Sequence, residues 1–310
     1  MTGHRRDQLT DPERHCLMAL LYFDVFDYPL TAEEVRQFAT GKLPEDTLAI
    51  LEGLVASGLA FQEAGLFSVR PPEALAVRRR QGNALAEIRM KDARKYGKLI
   101  ACFPFVRGVL VSGSLSKQYM EQDSDVDFFV VTRPGRLWIV RTALAVFRRV
   151  FLFNSHRNFC TNYFIAEDNL HLKEHNMFSA VEFSTLIPIA GSVAAVQLAQ
   201  HNIWYRDFLP NRVLPQPAVL TSAPWIRTLS EFLLRPWGLD RLDGWLMNRA
   251  IRYWQRRYGS LLNQQDFRIA FDSTRSVSRA HPGFFQQRVL DQWKVRITGF
   301  EVRHQLILVP

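Results

Sequence analysis

One stretch constrains the fold of this chain more than any other: Val109 to Thr132, which reads VLVSGSLSKQYMEQDSDVDFFVVT. A short apolar strand, Val109–Val111, runs into Gly113-Ser114, and a second apolar run, FFVV, follows Asp125-Val126-Asp127. Glycine lets a backbone approach a phosphate closely, and a short helix after it points its N–H groups at the same place. Ser112, Ser114 and Ser116 add hydroxyls, and Lys117 adds a mobile positive charge one turn in. Strand alternation puts Asp125 and Asp127 on one face, with Val126 and Phe128 on the other. Two carboxylates side by side repel unless a cation sits between them, and Mg²⁺ (or Mn²⁺) suits hard oxygen ligands completed by substrate phosphates. An isolated Asp-x-Asp is weak evidence, because surface strands produce it often. Coupling it to Gly-Ser between two apolar runs makes a polar strand edge the poorer explanation.

Gly-Ser, some ten residues, then Asp-hydrophobic-Asp-hydrophobic resembles the signature of the DNA polymerase β nucleotidyltransferase superfamily. The resemblance implies that Gly113 and Ser114 bind a nucleoside triphosphate and that Asp125 and Asp127 hold two divalent ions. Longer segments, SGSLSKQYMEQDSDVDFFVVTRPGRLWIVRT, NFCTNYFIAEDNLHL, IWYRDFLPN and HPGFF, resemble an uncharacterised bacterial family that pairs an N-terminal winged helix with this fold. That family carries no established substrate. One departure matters. The superfamily takes a third carboxylate from a later strand, and the matching strand here, Phe159–Ile165, offers Asn162 at that position. An amide ligates Mg²⁺ through its oxygen but adds no negative charge. Glu167 and Asp168, just beyond, are the substitutes within reach.

The rest of the chain reads as an α+β protein in three parts. Residues 1–70 give three helices and a hairpin, the order of a winged helix. Thr31 and Glu34 form a capping-box pattern, and a third helix from about Glu45 to Ser57 stops at Gly58. That third helix carries Glu45, Asp46 and Glu52 and no basic residue, so it would repel DNA phosphates, and domain packing or dimerisation suits it better. Residues 71–176 hold a long basic helix, with Arg78, Arg79, Arg80 and Arg89 on it, then the nucleotidyltransferase core. Residues 177–310 read as a C-terminal helical domain, with a regular segment at Leu239–Leu262.

Lys and Arg exceed Asp and Glu by 39 − 30 = 9, with pI near 9.7, which favours a polyanionic partner. The expected partner is a nucleoside triphosphate with an unidentified acceptor, and at most weak, sequence-independent binding to nucleic acid. Cys16, Cys102 and Cys160 are odd in number and far apart. That spacing fits a reducing cytoplasm better than a disulfide framework. No signal peptide and no bilayer-spanning apolar run is legible. His171 and His175, four apart, suggest a metal only weakly without a third ligand. Arg141 would face the triphosphate if its helix starts near Leu137; the alternative is a solvated surface position. The expectation is an Mg²⁺-dependent nucleotidyltransferase. The rivals are a nucleotide-binding sensor or scaffold lacking the third carboxylate, and a nucleic-acid-binding regulator.

Overall fold

The computed structural model describes residues 9–215, 225–234, 238–259, 271–279 and 284–308, and it is a mixed α+β protein. The N-terminal unit opens with α1 (Asp11–Asp24), β1 (Leu30–Thr31) and α2 (Ala32–Phe38). Both helices begin in reciprocal capping boxes, Thr10 with Glu13 and Thr31 with Glu34. Each satisfies two N–H groups that a helix start leaves without partners. Helix α3 (Thr47–Ala56) and the hairpin β2 (Phe61–Glu63) and β3 (Leu66–Ser68) complete the unit. Ala64 and Gly65, both at positive φ, form its two-residue turn. The strands pair in the order β1-β3-β2.

Helix α4 (Glu73–Ala101) leads into the central sheet. Its basic residues divide: Arg80, Lys91, Arg94, Lys95 and Lys98 are exposed and form a solvated face, whereas Arg78, Arg79 and Arg89 are engaged by the rest of the molecule. Arg79 is buried, bonded to both Glu34 oxygens at 2.7 and 2.9 Å and lying over the Tyr28 ring. Arg78 donates to the Phe26 carbonyl at 2.9 Å and pairs with Glu121. These arginines fasten the N-terminal unit to the rest of the molecule; Arg80 stays exposed.

The central elements are β4 (Val106–Ser112), the single turn α5 (Gly113–Ser116), β5 (Asp127–Thr132), α6 (Leu137–Phe151) and β6 (Cys160–Ala166). After them come α7 (Met177–Ser184), β7 (Ile187–Ala190), α8 (Ser192–Gln200), α9 (Trp225–Leu234), α10 (Leu239–Tyr258), β8 (Val277–Arg279) and α11 (Phe285–His304). Residues 177–310 are therefore mostly helical among those described, yet they also supply both edge strands of the five-stranded sheet β7-β4-β5-β6-β8. Only β5 and β6 run parallel; the other pairs are antiparallel.

Side-chain alternation divides the interior into two cores. Val109, Val111, Phe128, Val130 and Phe164 pack with α4 and α6 on one face. Leu110, Phe129, Val131 and Ile165 pack on the other, with α7, α8 and the N-terminal unit. A sheet covered on both faces needs apolar residues at consecutive positions, which explains the unbroken run FFVV. Helix α6 starts at Leu137 because the buried Asp243 carboxylate of α10 accepts the N–H groups of Trp138 and Ile139 at 2.9 and 3.0 Å.

Candidate functional site

The end of β4 and the start of β5 lie side by side, with Ser112 opposite Asp127. The chain leaves β4 through Gly113, which has φ +69; a Cβ there would sit 2.6 Å from Asp127 Oδ2. Any larger residue would therefore be strained in its backbone and pressed into the carboxylate. Ser114 lines the same cavity, its hydroxyl resting on Met120 Sδ at 3.4 Å.

Lys117 is less mobile than its sequence position suggests. Its ammonium donates to the Gly113 carbonyl at 3.0 Å and to Glu182 Oε1 at 2.7 Å. Glu182 lies on α7, and nothing local announces a partner so distant in the chain. The cation stays within reach of the Gly113 turn, but a phosphate would have to compete with Glu182 for it.

Across the parallel pair, Asp127 faces Cys160. The register then slips: Thr161 pairs with Phe128 and Tyr163 with Phe129, leaving Asn162 as the extra residue of a bulge. Bulges re-aim side chains, and this one brings Asn162 Nδ2 to 2.5 Å from Asp127 Oδ1. The Cys160 thiol donates to Asn162 Oδ1 at 3.0 Å. Asn162 thus touches one of the paired aspartates, as its position in the motif suggested, but presents a donor where a carboxylate would repel. Glu167 and Asp168 do not take its place. They follow the far end of β6, where Glu167 lies 3.7 Å from Arg107.

Burial pushes the Asp127 carboxyl up to about 7; the charges of Asp125 and Glu182 add to the rise, and Cys160 and Lys117 oppose it. Neither Asp125 nor Asp127 has an ion-pair partner within 4 Å among the described residues. Two carboxylates without a paired cation, side by side at a cavity wall, fit a hard divalent cation. Asp125 also lies near two further donors: a carboxylate oxygen, a His156 ring nitrogen and Cys160 Sγ fall within 4.8 Å of one another.

These groups form the polar end of a cavity of about 830 Å³. Aromatic side chains line much of the rest, Phe26 and Tyr28 from the N-terminal unit, Phe129 and Tyr163 from the sheet, Phe178 from α7 and Phe285 from α11, together with polar groups that include the Glu174–Arg279 pair. Phe129 and Tyr163 stack at 4.7 Å between centroids.

Arg141 and the His171–His175 pair have other surroundings. Arg141 is on the opposite side of the sheet, its guanidinium 4.9 Å from the Trp254 ring centre and 5.2 Å from that of Phe164. It faces neither the cavity nor bulk water. His175 stacks on Trp204 at 4.3 Å, and His171, which lines the cavity, meets the His175 ring edge-on. Sequence reasoning missed Glu182, His156 and Cys160 as members of the site. The only signal in the sequence for the last two was their closeness to Asn162.

No protein-family profile, curated protein or solved structure matches this chain.

Proposed function

We propose that this protein is an Mg²⁺-dependent nucleotidyltransferase of the polymerase β-like kind, moving a nucleoside monophosphate from a nucleoside triphosphate to an acceptor. The observation that carries the reading is the pairing of Gly113 with Asp127. The glycine turn that would admit a phosphate chain touches one of two carboxylates without ion-pair partners, at the mouth of a large cavity. Asp125 and Asp127 are the residues that would hold Mg²⁺, whose chemistry is to neutralise phosphate charge and polarise the bond to be broken. Gly113 leaves room for the phosphates, Ser114 offers its hydroxyl, and Lys117 exchanges its bond with Glu182 for one to a phosphate oxygen. Asn162 orients Asp127. Catalysis would then rest on positioning and charge, without a covalent intermediate. The N-terminal unit, read as a winged helix, serves in this account as a cavity wall.

One observation favours a second reading, a nucleotide-binding sensor with little turnover. Asn162 supplies an amide N–H to Asp127 and no third negative charge. A nucleic-acid-binding regulator is disfavoured, because Arg78 and Arg79 are held by the N-terminal unit and Glu45 and Asp46 before α3 and Glu52 on it are exposed. Pyrophosphate release from each of the four common nucleoside triphosphates, with small-molecule hydroxyl acceptors or RNA, tests transfer. Mg²⁺-dependent triphosphate binding without release selects the sensor. Asn162→Asp then sharpens the result: as a third carboxylate it should tighten a second Mn²⁺ site and raise release. If the parent is active and Asn162→Asp is not, the amide is a working part of the site and the sensor reading fails.

A further inference from the structure

We propose that Asp125, His156 and Cys160 form a separate cation site at the cavity rim, which takes a borderline-soft divalent ion, Zn²⁺ foremost. The inference shares Asp125 with the reading above but needs no transfer chemistry. One donor atom from each of the three side chains lies within 4.8 Å of the other two, so modest side-chain rotation closes them around a single ion. The donor set is one carboxylate, one imidazole and one thiol. Mg²⁺ prefers oxygen, whereas sulfur with nitrogen favours Zn²⁺ and its neighbours.

Backbone bonds hold the donors in place. The Val126 N–H donates to the Arg157 carbonyl at 3.0 Å, and the Cys160 N–H to the Val126 carbonyl at 3.1 Å. Arg89 Nη2 donates to the carbonyls of Arg157 and Ser124, at 2.7 and 3.4 Å. The loop carrying His156 and the segment carrying Asp125 are thereby clamped together. Preorganisation of this kind lowers the entropy lost when an ion binds.

Charge also balances. Arg148 Nη1 lies 3.1 Å from His156 Nδ1, and an ion would take that place. The ion and Arg148 would face the Cys160 thiolate, Asp125 and Asp127. Binding releases the thiol proton to solvent, since a coordinating thiol is deprotonated. Three protein ligands leave a fourth position, and both Asp125 and Cys160 line the cavity. This is the open arrangement that lets a zinc ion accept a water or a substrate oxygen.

The test is a Co²⁺ titration of the metal-stripped full-length protein, followed by absorption. The parent should show a near-ultraviolet thiolate-to-cobalt band and the intense visible bands of a four-coordinate ion. Zn²⁺ should bleach both, and excess Mg²⁺ should not. Cys160→Ser should lose the thiolate band while Cys102→Ser keeps it. His156→Ala alters an exposed loop residue and so preserves the fold if Cys160→Ser does not. It should weaken Co²⁺ binding at least as much as loss of an outer-sphere partner does, about 10–100-fold. A parent with no thiolate band, a band surviving Cys160→Ser, or unchanged Co²⁺ affinity in His156→Ala overturns the proposal. Mg²⁺-ATP binding measured in parallel separates the two ideas. A parent that binds Mg²⁺-ATP but gives no thiolate band refutes only this site, and the reverse refutes only the transfer reading.

Discussion

The N-terminal unit and the two cavity aspartates treat charge in opposite ways. In the first, almost every buried or half-buried charge is matched. Asp24, buried on α1, accepts from Arg70 and lies 3.1 Å from Arg296 Nε on α11. Glu34 caps α2 and holds Arg79. At the cavity, Asp125 and Asp127 lack ion-pair partners within 4 Å among the described residues, although the chain carries a net charge of +9. Burying charge without a partner costs free energy, so an unmatched Asp127 beside Asp125 is what the proposed metal site would require. On that proposal the contrast separates charge that fastens from charge that waits.

The sharpest way to break that contrast is to neutralise one carboxylate in each region. Asp127→Asn or Asp125→Asn should abolish Mg²⁺-dependent triphosphate binding, read by calorimetry, while leaving the melting temperature unchanged or higher. Asp24→Ala should do the reverse. It should cost about 2–3 kcal/mol in denaturant unfolding, below the ~3–5 of a fully buried pair because both arginines reach solvent, and leave triphosphate binding intact. If Asp127→Asn unfolds the protein instead, that carboxylate belongs to the scaffold.

Next in size is Gly113→Val. Positive φ and the Cβ position 2.6 Å from Asp127 Oδ2 both oppose it, so triphosphate binding should be lost, together with about 1–2 kcal/mol of stability from the backbone alone. Equal binding by parent and variant would reduce the Gly-Ser element to a simple turn.

A pH series probes the same carboxylate without mutation. Burial raises Asp127 to about 7, above its value in the unfolded chain. A group raised in this way contributes stability that is present below the ordinary carboxylate pKa of about 4 and lost as pH rises to about 7, so the metal-free protein should lose stability from about pH 4 to about pH 7 and level off above. A divalent ion binds the ionised carboxyl, so Mn²⁺ affinity should rise over that same interval. Parallel trends, or a flat Mn²⁺ profile, would remove Asp127 from the ligand set.

The smallest expected effect is Ser114→Ala. Its hydroxyl meets only a thioether in the free protein, so stability should hardly move, while triphosphate affinity should weaken by on the order of 1 kcal/mol, one hydrogen bond. A stability loss larger than the binding loss would assign Ser114 to the scaffold.

Several local features were legible in the sequence. Thr31 and Glu34 announce a helix start, Glu63 to Gly65 a hairpin, and Asp125-Val126-Asp127 two carboxylates lining one cavity, although β5 begins only at Asp127 and Asp125 precedes it. All depend on residues within about one helical turn or one strand repeat, where spacing alone dictates geometry. The position of Asn162 was also readable, because the register of a strand follows from its apolar pattern. Its hydrogen bond to Asp127 was not, since that requires the bulge between Phe128 and Phe129.

What the sequence by itself determined is therefore the local material: capped helices, a tight turn, apolar strands and two aspartates separated by one residue. Only the tertiary structure decided what those pieces face. It gave Lys117 to Glu182, made Arg78 and Arg79 fasteners for the N-terminal unit, drew β7 and β8 onto the edges of the sheet, and set His156 and Cys160 beside Asp125. Each pairing joins elements through packing of apolar faces. Apolar burial is non-directional and sums over the whole interior, so no local pattern states which distant charge a side chain will meet.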